Sequence, residues 1–121
     1  MTDLLDTSVL ISFGQPPAGR RGEIAVSAVS IGELEAGVLS APSDSERAVR
    51  LRRLGSILAE SALLPVDRSV AARFGELRAA TGRLPSNDLW IAATALAHDF
   101  TLVTADERLA KLPLVRTSLV S

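Results

Sequence analysis

Cysteine and tyrosine are absent from the 121 residues, and histidine, lysine and tryptophan occur once each. Each absence excludes a chemistry. Without cysteine there is no disulfide framework and no thiolate metal site, and a reducing cytoplasm is the expected compartment. The single histidine, His98, is too isolated to anchor zinc and suits a helix C-terminus, where it compensates the dipole. Aromatic residues make up 3% of the chain, so Leu, Val, Ile and Ala must fill the interior. No apolar run approaches the ~18 residues of a membrane span. Met1-Thr2-Asp3 lacks the basic start and apolar run of a signal peptide. Membrane insertion is therefore not expected.

What is present suits one core. Hydrophobic residues are 47%, charged residues 22%, and mean hydropathy is +0.28. A single domain over residues 1–121 is expected. The net charge of −1 and pI near 5.8 leave no overall basic footprint. The distribution is more informative, because Arg47, Arg50, Arg52 and Arg53 crowd one segment. Their planar forks suit phosphate, and a solvated helix face is the competing reading.

Along the chain, Leu4-Leu5-Asp6 ends a short strand. A short helix with Val9-Leu10-Ile11 follows, closed by Gly14 and Pro16-Pro17. Ile24-Ala25-Val26 reads as a second strand, followed by a helix over 28–39. Ser43 and Glu46 form a capping box for a helix reaching about Ser61. Leu63-Leu64-Pro65-Val66 reads as a strand, with Pro65 favouring an edge. Asp67 caps a helix running to Gly82, and Pro85-Ser86-Asn87 starts another that ends at His98. Phe100 to Thr104 is a strand, with a short helix over 107–112 beyond it. Leu114-Val115 is expected to form the last edge strand. Alternating elements of this kind predict an α/β fold: a mainly parallel central sheet flanked by helices in three layers.

In such a fold the strand C-termini and the following helix N-termini share one edge, where ligands bind. Asp6 ends the first strand, and Asp106 lies two residues past Thr104. Asp88 falls in a first helical turn, and Glu33 in the second turn of its helix. All four acids therefore map to one edge. Two carboxylates ~5 Å apart repel by about 3 kcal/mol at an effective dielectric of 20. A hard divalent ion such as Mg²⁺ or Mn²⁺ is the natural remedy for an all-oxygen set. Without metal, this repulsion should raise all four carboxyl pKa values, and Asp6→Asn should leave the metal-free protein at least as stable. Other acids map elsewhere. Glu35 lies about 200° around the helix from Glu33, Asp3 begins its strand, and Asp99 falls on the opposite edge. Asn87 suits either a role beside Asp88 or a helix cap.

These segments carry a resemblance that extends over nearly the whole chain. Leu4-Leu5-Asp6-Thr7-Ser8-Val9-Leu10-Ile11, the segment 27–38 with Glu33-Leu34 and Gly37, Asn87-Asp88 with Ile91-Ala92-Ala93-Thr94-Ala95, and Leu102-Val103-Thr104-Ala105-Asp106 together resemble the PIN-domain family. Within it they resemble the VapC-like toxins of type II toxin–antitoxin pairs. The resemblance implies a PIN-like fold and a Mg²⁺- or Mn²⁺-dependent endoribonuclease, usually homodimeric and inhibited by a cognate antitoxin protein. It places Asp6, Glu33, Asp88 and Asp106 at the four acidic positions, as both metal ligands and catalytic groups. Thr7 and Thr104 match hydroxyl positions that orient carboxylates or water. Arg47, Arg50, Arg52 and Arg53 are then candidate contacts to RNA phosphates. The family often has an aromatic three residues after its fourth acid, where this chain has Leu109.

Two other readings compete. A receiver-type signalling domain also pairs a parallel α/β fold with an acidic Mg²⁺ pocket. It needs a lysine late in the chain after a strand, and Lys111 follows no strand end. A non-catalytic PIN-like scaffold would be expected to have lost one of the four acids. Apolar residues beyond what one sheet face needs, among them Val38, Leu39, Leu51, Leu54 and Leu58, suggest a groove for an antitoxin helix.

Overall fold

Leu4 and Leu5, adjacent in sequence, point to opposite sides of a sheet, and the fold is built on that alternation. The structure is a computed structural model that describes residues 2–13 and 24–120. Five strands pair in parallel in the order β3-β2-β1-β4-β5: β1 (Asp3–Leu5), β2 (Ile24–Ser27), β3 (Ala62–Leu64), β4 (Thr101–Thr104) and β5 (Thr117–Leu119). In register, Leu4 lies beside Ala25 and Leu102, and Leu5 beside Val103.

Leu4, Ala25 and Leu102 share a core with Val70 and Leu77 of α4 (Arg68–Thr81) and Leu89 and Ala93 of α5 (Ser86–His98). Leu5, Val26 and Val103 share another with Val9 of α1 (Thr7–Phe13), Leu34 and Val38 of α2 (Ala28–Leu39), and Leu54 and Ile57 of α3 (Asp44–Glu60). Helices therefore cover both faces, as expected of strands that are apolar on both sides. Trp90 stacks on Phe74 with ring centroids 3.9 Å apart. The sole tryptophan is thus committed to packing α4 on α5.

Local chemistry sets the helix ends. Ser43 accepts from Glu46 N, and Asp67 Oδ1 accepts from Val70 N, as the capping signals predict. Gly82, at φ 72°, ends α4 in a conformation that glycine adopts without strain. The cap position of α5 is Pro85, with no side-chain bond, so Asn87 is not the cap; it lies exposed in the first turn.

Two expected elements are corrected. The short helix expected over 107–112 is a 3₁₀ turn at Leu109–Lys111. The last strand begins at Thr117, not at Leu114-Val115. Leu114 sits in a left-handed turn at φ 73°, while Val115 reaches the core from that turn. Burial, not pairing, is what Val115 satisfies. The expected closure by Gly14 and Pro16-Pro17 lies outside the described residues. Among the described residues, no helix is long and apolar enough to cross a membrane.

Candidate functional site

Asp6 sits where β1 becomes α1. Its N–H continues the sheet by donating to Val103 O (2.9 Å), and its carbonyl accepts from Val9 N and Leu10 N to start the helix. The side chain is only 3% exposed. A buried carboxylate needs donors, and two hydroxyls supply them: Ser8 Oγ and Thr104 Oγ1 both donate to Asp6 Oδ2, at 2.6 and 2.9 Å. These hydroxyls are themselves held by backbone donors beyond β4. Ala105 N donates to Ser8 Oγ (3.0 Å), and Asp106 N donates to Thr104 Oγ1 (3.0 Å). Residues almost a hundred positions apart are thereby fixed as one unit.

Glu33 is positioned from the other side. Thr7, the first residue of α1, donates its hydroxyl to Glu33 Oε1 at 2.7 Å and lies 2.9 Å from the buried Ser30 hydroxyl. Ser30 and Glu33 are one turn apart on α2, so a single threonine links both to α1. Both hydroxyl residues matched by the resemblance, Thr7 and Thr104, thus hold a carboxylate.

Asp88 and Asp106 complete the group and share one cation. Arg108 Nη2 lies 3.0 Å from Asp106 Oδ2 and 3.9 Å from Asp88 Oδ2. The Arg108 backbone N–H also donates to Asp106 Oδ1 at 2.8 Å. Burial raises the Asp88 carboxyl above its ordinary value. The negative charges of Asp6, Asp106 and, more weakly, Glu33 raise it further, against the lowering effect of Arg108. Asp88 therefore lies within electrostatic reach of the other three acids. The expectation of four raised carboxyls fails at Asp106, which the Arg108 side-chain hydrogen bond holds below the usual range. Among the described residues, no three acids stand close enough to grip one ion as placed.

The arginine segment divides. Arg50 and Arg53 line a cavity of about 370 Å³ together with Glu33, Glu46, Ile11 and Val49. Arg50 is anchored there, donating to Gly37 O at 2.7 Å and lying 3.6 Å from Glu46. Arg47 instead pairs with Asp44 (2.9 Å), and Arg52 is exposed. The acids set aside lie where expected: Glu35 is exposed, Asp3 opens β1, and Asp99 pairs with Arg116 (2.9 Å) at the opposite edge. Sequence reasoning missed Ser8, Ser30 and Arg108. Ser30 had a usable signal, its one-turn spacing from Glu33. Arg108 had none beyond its nearness to Asp106.

Known proteins resemble this chain over most of its length. The PIN domain family matches residues 4–114. Ribonuclease VapC4 of Mycobacterium tuberculosis is 38% identical over 118 residues, covering 91% of this chain and 90% of that protein. Among solved structures, VapBC-5 from Mycobacterium tuberculosis, a member of the VapBC family of toxin–antitoxin systems, superposes with a TM-score of 0.83 at 35% identity over 98% of each chain. FitAcB from Neisseria gonorrhoeae does so with a TM-score of 0.79 at 28% identity over 95% of each. With the family matched over most of its length and four acids gathered at the sheet edge, this chain belongs to the PIN-domain family, among its VapC-like members.

Proposed function

We propose that the chain is the toxin of a toxin–antitoxin pair, a single nuclease domain over residues 1–121 that hydrolyses RNA phosphodiester bonds with Mg²⁺ or Mn²⁺. The observation that carries this reading is that Asp88, at the start of α5, feels the charges of Asp6 beyond β1, Asp106 beyond β4 and Glu33 of α2. Its relatives named ribonucleases support the same reaction. The donor set is carboxylate oxygen alone, which fits a hard divalent cation. The Asp88 carboxyl is raised by burial and, in addition, by neighbouring acids whose repulsion such a cation relieves.

Asp6 and Glu33 would hold it as oriented ligands, fixed by Ser8 and Thr104 and by Thr7 respectively. Asp88 and Asp106 would close the site from the ends of α5 and β4. A bound divalent cation supplies a lowered water pKa and neutralises charge developing at phosphorus. Arg50 and Arg53, on the cavity that Glu33 also lines, are placed to hold a neighbouring phosphate. Asn87 stands beside Asp88 at the rim, and Arg47 and Arg52 offer more distant positive charge. Hydrolysis by water, without the 2′-hydroxyl as nucleophile, leaves 5′-phosphate and 3′-hydroxyl ends.

Cleavage of cellular RNA by the purified chain, with EDTA and then with Mn²⁺, tests the reading. Glu33→Gln should reduce the Mn²⁺-dependent rate by roughly tenfold to a hundredfold, whereas Glu35→Gln should leave it near wild type. Equal losses from the two would assign the activity to the wrong helix face.

The antitoxin is proposed to cover α3 and the end of α2. Val38 and Leu54 belong to the core, but Leu51 (55%), Leu58 (44%) and Leu39 (80%) remain exposed. The solved VapBC complexes support a protein partner. Sedimentation at micromolar concentration should show the free chain at twice its 12.7 kDa mass and a heavier complex with the neighbouring gene's product. Leu51→Glu and Leu58→Glu together should weaken that complex by about a hundredfold or more. An unchanged affinity would place the antitoxin elsewhere.

A further inference from the structure

Arg108 holds the oxygens a metal would need. Its guanidinium reaches Asp106 Oδ2 at 3.0 Å and Asp88 Oδ2 at 3.9 Å, and its Nε lies 3.4 Å from Asp106 Oδ1. A guanidinium is donor-only and permanently charged, so it satisfies carboxylates as a cation does. A small divalent ion binds carboxylate oxygen at about 2.0–2.1 Å. The guanidinium and such an ion are both cations directed at Asp106 Oδ2, so they repel each other and compete for it. The Arg108 side chain is 62% exposed and therefore free to swing away.

Positioning is the other role a guanidinium can have here, and the backbone already fills it. Arg108 N donates to Asp106 Oδ1 at 2.8 Å, and Asp106 N is tied to Thr104 Oγ1. Asp106 keeps its orientation if the guanidinium leaves. We infer that Arg108 is a built-in counter-cation for Asp88 and Asp106 that competes with an entering divalent ion, and that it thereby weakens this chain's own metal affinity. This rests on the proposal that the four acids bind a divalent metal.

The two roles predict opposite signs. If Arg108 competes, its removal tightens metal binding; if it positions Asp106, its removal weakens binding. The experiment is titration of the full chain with Mn²⁺, reading free Mn²⁺ by electron paramagnetic resonance at low salt. Arg108→Gln should lower the Mn²⁺ Kd by about three- to fivefold, the range an exposed ion pair supports. Arg108→Lys should fall between Arg108→Gln and wild type. The difference should shrink at about 0.5 M NaCl, because exposed charges are screened. An equal or higher Kd for Arg108→Gln would overturn the inference while leaving the metal site standing. A wild-type chain that binds no Mn²⁺, or an Asp88→Asn variant that binds it as well as wild type, would overturn both.

Discussion

Asp88→Asn should reduce Mn²⁺-dependent cleavage by on the order of a hundredfold or more, and should yield a metal-free protein more stable than wild type at neutral pH. The two effects have one cause. Asp88 is raised by its own burial and by the neighbouring acids, above all Asp6 and Asp106. A carboxyl whose folded pKa is raised favours folding while protonated. That contribution is fully present below the unfolded value of roughly 3.9 and is lost as pH rises through the folded value. At neutral pH the ionised group is a net burden on the metal-free fold, and the neutral amide does not carry it. Thermal unfolding in EDTA at about pH 3.5 and about pH 7.5 should therefore show a variant advantage that appears only at the higher value. With Mn²⁺ at 100 times its dissociation constant, wild type should gain about 2.7 kcal/mol, and Asp88→Asn much less. An Asp88→Asn protein less stable than wild type in EDTA at neutral pH would show that Asp88 serves structure, not a metal.

Thr104→Val should uncouple the first acid from the fourth. Thr104 is fully buried, donates to Asp6 Oδ2, and accepts from Asp106 N. Valine has nearly the same shape, so no cavity arises. The Asp106 N–H loses its partner, and the buried Asp6 carboxylate is left with the Ser8 hydroxyl. Leaving buried polar groups unsatisfied costs about 1–3 kcal/mol each, so a loss of roughly 2–4 kcal/mol is expected from denaturant unfolding. Cleavage should fall with it, since both carboxylates lose a bond that aims them. Thr104→Ser keeps the hydroxyl and should retain most of the activity, at a cost of about 1 kcal/mol for the missing methyl group. Wild-type stability and wild-type cleavage in Thr104→Val would sink the coupling. The same hydrogen bonds revise the expectation for Asp6. Neutralising it weakens two bonds to a charged acceptor, so Asp6→Asn should lower stability, and the gain from neutralisation belongs to Asp88.

Composition and periodicity were enough for the architecture and for the edge on which the acids lie. Strands apolar on both faces require helices on both sides, and Leu4-Leu5, Ala25-Val26 and Leu102-Val103 show that pattern without any partner being known. Capping residues such as Ser43 and Asp67 bond only three residues ahead, so they too were legible. Asp6, Glu33, Asp88 and Asp106 could be assigned to one edge because a parallel sheet sends every strand C-terminus the same way. How those acids are held was decided only by the tertiary structure. Ser8 reaches Asp6 from two residues away, but Thr104 meets it only across the register fixed by β1–β4 pairing, 98 positions along the chain. No local pattern records such a distance. The same holds for charge: four acids look equivalent as residues, yet Asp88 is raised and Asp106 lowered. A carboxyl's pKa depends on burial and on the ions within a few ångströms, here the exposed guanidinium of Arg108, and both exist only once the chain has folded.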